Sequence, residues 1–213
     1  MPTVPPNQSA SDSAELKYFK QIPWCAEILN RPGTTVWYPF SRRPNPPPGD
    51  GTLFVKTLNT PDTIPAFLMF HGPPTITDAQ SASPAASESA SNATPSPSLA
   101  IKELSALVAL GDGVTGHAGI AHGGLLTAIL DEVLGNVAAV NREMGMVRGL
   151  FMTATLNTTY VSPVRTPGAI LVTSQIVQKS ERKLLLAGTI KDGSGNVLAK
   201  AEGLFVKVRR GKL

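Results

Sequence analysis

Cysteine is nearly absent from this sequence: Cys25 is the single one in 213 residues, so no intrachain disulfide can form and a reducing, intracellular compartment is the simplest setting. Next to Trp24, its thiol reads as a packed group. Long apolar runs are missing as well, and no transmembrane segment is expected. The stretch from Met1 to Pro6 has neither the basic start nor the apolar centre of a secretory signal. No arginine precedes Arg31, which argues against a mitochondrial presequence, so the expected location is cytoplasmic. Histidine is scarce, and His71, His117 and His122 lack a recognised ligand spacing, so no metal is expected. No nucleic-acid partner is expected either.

What is present is enough for a core: 42% of the residues are hydrophobic, and the length fits one domain with additions. Charge is unevenly placed. Residues 142–213 hold 12 Lys/Arg against 4 Asp/Glu, whereas residues 1–141 hold 7 against 11. The basic half suits an anionic ligand such as a phosphorylated cofactor, although Lys207, Arg209, Arg210 and Lys212 equally fit a solvated tail.

The chain is organised around residues 117–136. There, a glycine-rich turn, His122-Gly123-Gly124, opens an apolar helix from Leu125 to Val140 that carries one acidic pair, Asp131 and Glu132. So apolar a helix is normally buried on most sides, and a carboxylate within it must be paired, hydrogen-bonded or facing a cleft. Glu132 reads as structural, meeting Asn136 one turn on. At the glycines, a ligand carbonyl can approach N–H groups that the first helical turn leaves unpaired, aided by the positive end of the helix dipole. This describes an oxyanion site for an acyl group. Asp131 lies roughly 12 Å further along the axis at about 1.5 Å per residue, too far to act on the same centre. If both matter, they meet across a two-fold dimer.

Around this stretch the sequence predicts the following organisation. Residues 1–10 read as disordered. A helix capped by Ser11 or Asp12 spans Ala14 to Gln21, and a second opens at Pro23 and runs to Ile28, with Phe19 and Trp24 fastening both to the main domain. Residues 31–50 read as an irregular connection with a possible strand from Thr35 to Tyr38, and Arg42 and Arg43 as a solvated loop. Strands are expected at Thr52–Thr57 and Ala66–Phe70. The Ser/Ala/Pro-rich stretch at about 74–100 reads as a disordered insertion. Ile101–Leu110 reads as a strand whose alanines and leucines also suit a helix. After the long helix, strands from Leu150, Gly168, Leu184 and Val197 form a meander. In the first of these, alternation sets Leu150, Met152, Ala154, Leu156 and Tyr160 on one face and Thr153, Thr155, Asn157 and Thr159 on the other. The fold class is α+β, an antiparallel sheet wrapped around one long central helix. The division is a helical arm and connection at 1–60 and the main domain at 61–213.

Three features together carry a family resemblance: Gly116-His-Ala-Gly-Ile-Ala-His122-Gly-Gly, the nine-residue step from His122 to Asp131, and Met152-Thr153-Ala-Thr-Leu-Asn157-Thr-Thr-Tyr160 ahead of Pro163. From Leu104 to Lys207 the chain resembles the hotdog-fold thioesterases of the 4-hydroxybenzoyl-CoA thioesterase superfamily, in the branch of the phenylacetate-pathway and carboxy-terminal modulator-like acyl-CoA thioesterases. The resemblance implies a homodimer or dimer of dimers with sites shared between subunits, and acyl-CoA as substrate. No separate cofactor is implied, since coenzyme A is part of the substrate. Gly123 would polarise the thioester carbonyl, and Asp131 of the opposite subunit would act as general base or attacking carboxylate. Thr153 would position water or the acid, and His122 and Gly124 would shape the turn and contact the thioester. Some relatives carry asparagine where this chain has Gly116, so no side-chain donor is available there. Arg165, Lys179, Arg182 and Lys183, at strand ends and turns of the basic half, are the candidates for the coenzyme A phosphates. Two other function classes share the fold: a non-catalytic acyl-CoA-binding or regulatory protein, and a dehydratase or hydratase, which would need a histidine deeper in the helix.

Overall fold

The computed structural model describes residues 10–43, 51–72 and 101–208. The N-terminal nine residues, the proline run at 44–48, the Ser/Ala/Pro-rich insertion and the basic residues from Arg209 onward lie outside the described residues.

Two short helices come first, α1 (Ala14–Lys20) and α2 (Pro23–Leu29). The cap of α1 is Ser13, one or two residues later than the sequence suggests. Its Oγ accepts from the Leu16 N–H at 3.0 Å, supplying one of the acceptors that a first turn lacks. Strands β1 (Thr35–Trp37), β2 (Phe67–His71) and β3 (Glu103–Leu110) follow, then a small hairpin of β4 (Thr115–His117) and β5 (Ile120–Ala121). The long helix is α3 (Gly123–Glu143), after which come β6 (Phe151–Tyr160), β7 (Gly168–Lys179), β8 (Lys183–Lys191) and β9 (Val197–Lys207). Seven strands make one antiparallel sheet in the order β1-β2-β3-β7-β8-β9-β6, so the strand that follows α3 crosses to the far edge. The sheet wraps α3, which is the hotdog arrangement.

The two faces of the sheet are covered differently. On one, α3 buries Leu126, Leu130, Val133, Val137 and Val140, spaced three and four apart as one helical face requires, and each worth about 1.5–3 kcal/mol when fully buried. On the other, α1 and α2 pack Phe19, Cys25 and Leu29 against Leu68, Phe70, Leu107 and Ala109. Strands β2 and β3 are thus buried on both faces: Phe67 and Met69 look toward α3 while Leu68 and Phe70 look outward. This explains why the Ile101–Leu110 run carries no alternation that separates strand from helix. Cys25 is fully buried, and desolvation pushes its thiol up to about 12. Trp24 lies over the β8–β9 turn, where a Cβ on Gly193 would come within 2.6 Å of the indole.

Two segments depart from expectation. Leu53–Thr57 forms a π-helical turn rather than a strand; it buries Phe54 against Phe67, leaves Leu53 half exposed, and so has no alternating face to give a sheet. Arg42 and Arg43 are not a solvated pair. Arg42 is buried, donating to Leu58 O and Ile64 O at 2.9 Å and to the Asn59 side chain. Arg43 pairs with Glu143 at 2.7 Å and lies over the Phe40 ring. This connection is stitched along α3, since Phe40 N–H donates to Asn136 Oδ1 at 3.0 Å. By length and composition α3 could cross a membrane, with mean hydropathy 1.4 over 18 residues, but half of that window is buried inside the fold.

Candidate active site

Gly123, Thr127 and Asp131 follow one another at intervals of four, so they occupy a single stripe of α3. Strand β6 runs beside that stripe in the opposite sense. It meets the stripe with both Thr153 and Tyr160 because of a bulge. Thr153 pairs with Phe205 and Thr155 with Leu204, leaving Ala154 as an extra residue. An extra residue reverses the alternation beyond it. Thr153 before the bulge and Leu156, Thr158 and Tyr160 after it therefore all turn toward α3. The uninterrupted alternation expected from the sequence, with Thr153 and Tyr160 on opposite faces, is corrected by this one insertion.

At the acid end of the stripe, Thr153 Oγ1 donates to Asp131 Oδ1 at 2.7 Å. Among the described residues no group donates to Asp131 Oδ2, and the carboxylate is partly open to solvent. Its neighbour Glu132 turns the other way, toward the stitched connection, where Asn136 Nδ2 donates to Glu132 Oε1 at 2.9 Å. Burial raises the Glu132 carboxyl above its usual range and the Asp131 charge adds to this, while the Asn136 hydrogen bond and the Arg42 charge oppose it. The same burial lowers the Arg42 guanidinium to about 10.

A measurable pH effect follows from Glu132. A carboxyl with a raised pKa binds more protons in the folded than in the unfolded chain, so its contribution is most favourable below the ordinary value of 4.5 and declines as pH rises through the raised one. Glu132→Gln removes that decline. Whatever constant offset the loss of Arg42's counter-charge brings, the melting temperature of the variant relative to wild type is expected to rise as pH goes from about 4 to 8. Parallel curves for the two proteins would contradict it.

At the glycine end, His122 caps α3: its Nδ1 accepts from the Gly124 N–H at 2.9 Å, so its ring proton sits on Nε2. The Gly124 amide is thereby occupied, which corrects the expectation that both glycine amides are open. The Gly123 N–H has no acceptor among the described residues. The peptide bearing it is polarised from behind, because His122 O accepts from Leu125 N–H and Leu126 N–H at 3.0 and 3.2 Å. Tyr160 closes this end. Its hydroxyl donates to Gly123 O at 2.8 Å and lies 2.7 Å from Thr127 Oγ1, which also reaches Thr158. A Cβ at position 123 would stand 3.1 Å from Tyr160 Cζ, so the close approach needs glycine.

The cations divide between the two ends. Arg165 bridges to Ile120 beside the glycine turn and is exposed. Lys179, Arg182 and Lys183 lie at the β7–β8 turn near the start of β6; Lys179 Nζ donates to Met146 O at 3.1 Å, and Arg182 O accepts from the Lys207 N–H. One chain thus brings Asp131 to Thr153, and His122 to Gly123 and Gly124, but not the acid to the open amide. Sequence reasoning missed Thr127 and Tyr160 as members of this group. The signal for Thr127 was its place four residues from both Gly123 and Asp131.

The sequence profile of the thioesterase superfamily matches residues 118–199. The chain is similar over nearly its whole length to verlamelin biosynthesis protein B of a Lecanicillium species, with 30% identity over 231 residues covering 95% of this chain and 92% of that protein. It is 33% identical over 94 residues to acyl-coenzyme A thioesterase THEM4 of Mus musculus, which is 44% of this chain and only 38% of the mouse protein. A solved thioesterase superfamily protein is 32% identical, with a TM-score of 0.44, over 49% of this chain and 51% of that one.

Proposed function

Since this chain belongs to the thioesterase superfamily, we propose that it hydrolyses an acyl-CoA thioester to a carboxylic acid and free coenzyme A, in sites shared between two protomers. The observation that carries this reading is the open Gly123 N–H and the Thr153-held Asp131 on one stripe of one helix, two turns apart, beside an unpaired strand edge. Among the described residues, strand β6 pairs with β9 alone. Its free edge offers exposed Met152 and Tyr160, with Leu150 and Val161 just beyond its ends. A ten-residue strand edge with open backbone N–H and C=O groups calls for a cover.

A second copy of β6 provides one. A two-fold axis between Leu156 and Asn157 would set Tyr160 opposite Thr153 of the partner subunit, and so the Gly123 turn opposite Asp131 of the partner subunit. The same operation would bring Arg165 toward the partner's Lys179, Arg182 and Lys183, a suitable set for coenzyme A phosphates. The thioester oxygen would accept from the Gly123 N–H. Asp131 of the partner subunit, oriented by its threonine, would take a proton from water as the water oxygen attacks the carbonyl carbon. Collapse of the tetrahedral intermediate breaks the carbon–sulfur bond, and the thiolate leaves and is protonated.

Release of free thiol from a panel of acyl-CoAs of differing chain length tests the reading. Turnover of at least one member well above the uncatalysed rate is expected. Binding of acyl-CoA without thiol release would instead favour a non-catalytic acyl-CoA-binding protein.

A further inference from the structure

We infer that Tyr160 is a positioning residue for carbonyl recognition, acting through the Gly123 turn; this rests on the thioesterase reading above. Two consecutive glycines open α3, and glycine is the residue that loses most conformational freedom on being fixed. A first helical turn also lacks internal partners for its N–H groups. Left alone, the turn bearing the open amide would be the least ordered part of the helix. Four clips hold it: the His122 imidazole on the Gly124 N–H, the Leu125 and Leu126 amides on His122 O, the His122 N–H on Val114 O at 2.9 Å, and the Tyr160 hydroxyl on Gly123 O. The first two come from the helix itself. The third anchors the turn beside β4, and among the described residues Tyr160 alone ties it to β6.

The tie is specific in its atoms. A hydroxyl has one hydrogen: Tyr160 gives its own to Gly123 O at 2.8 Å, and Thr127 Oγ1 has one to divide between Tyr160 at 2.7 Å and Thr158 at 3.2 Å. The phenol is therefore held by its bond to Gly123 O and sits in a small hydroxyl cluster with Thr127 and Thr158. Its ring also fills the space beside Gly123, within 3.1–3.4 Å of where a Cβ would sit. Yet the side chain is 52% exposed and contributes little to the core. A residue tied to a helix entry through its hydroxyl, while adding little to the protomer's own core, serves the direction in which the Gly123 N–H points.

Tyr160→Phe removes the hydroxyl and keeps the ring, so folding is retained. We expect kcat to fall about five- to tenfold with KM changed by less than about twofold, as loss of one hydrogen bond at a preorganised donor implies. Thr127→Val should give a smaller loss, and the double variant should be no worse than Tyr160→Phe, because both act through one chain of hydroxyls. A second readout does not depend on turnover. A trifluoromethyl ketone analogue of acyl-CoA, which hydrates to a tetrahedral form, should bind about fivefold more weakly to Tyr160→Phe, while free coenzyme A binds as to wild type. Unchanged kcat in Tyr160→Phe, or equal weakening of ketone analogue and free coenzyme A, overturns this inference while leaving the thioesterase reading intact. Failure of wild type to release thiol or to bind either ligand overturns both.

Discussion

Asp131→Ala is expected to lower kcat by about a thousandfold or more while coenzyme A still binds, because a positioned general base supplies about 10²–10⁴-fold and nothing near it can substitute. Its neighbour Glu132 is bonded to Asn136 on the other side of the helix, and Thr153, its hydrogen-bond donor, has no comparable basicity. Asp131 is partly open to solvent, so its truncation leaves no sealed cavity. Asp131→Asn sharpens the test. Its side-chain oxygen can still accept from Thr153, so the local geometry survives while the charge and basicity are lost. Both variants should be comparably inactive if proton transfer or carboxylate attack is the role of Asp131. Near-normal turnover in the asparagine variant would remove Asp131 from the chemistry.

Mixing two inactive variants gives the other large effect. Gly123→Val adds atoms beyond a Cβ already 3.1 Å from Tyr160 Cζ and blocks the amide, whereas Asp131→Ala leaves the amide and removes the acid. Each variant alone should show about 1% of wild-type turnover or less. Under the proposed two-fold pairing, the two chains unfolded together and refolded form mixed dimers in about half of all cases. Each mixed dimer holds one site with both groups intact and one with neither, so about a quarter of wild-type activity should return. Thiol release after refolding measures it, with each variant refolded alone as the control. No recovery, despite mixed dimers seen by mass spectrometry, would mean that each protomer carries its own complete site.

How far the sequence carried these conclusions depends on the segment. The apolar run after Gly124 and the meander behind it were readable because hydrophobic period and turn residues agree there, as in Asp192–Asn196, where Asp192 Oδ1 accepts from two following amides. The pairing of Glu132 with Asn136 was readable because it spans one helical turn. Three features were hidden. Nothing in Thr153-Ala154-Thr155 marks a bulge, since an extra residue in a strand is defined by its partner, here Phe205 and Leu204. The Arg42 site depends on Leu58 and Ile64 carbonyls brought from elsewhere in the chain. Leu53–Thr57 has strand-like composition, but its single deeply buried residue, Phe54, asks for a turn. In each case tertiary partners outweighed the local signal.

The position of β6 in the sheet also constrains how the polypeptide matures. Among the described residues its only hydrogen-bonded neighbour is β9, which follows it by two intervening strands in chain order. The strand bearing Thr153 and Tyr160 therefore emerges early and waits, while β7 can already add to β3 and β8 to β7. Until β9 arrives, the groups beside α3 stay unassembled and both edges of β6 are open to other chains. A chain lacking β9 would leave both edges of β6 open to other chains, and is the form most exposed to aggregation.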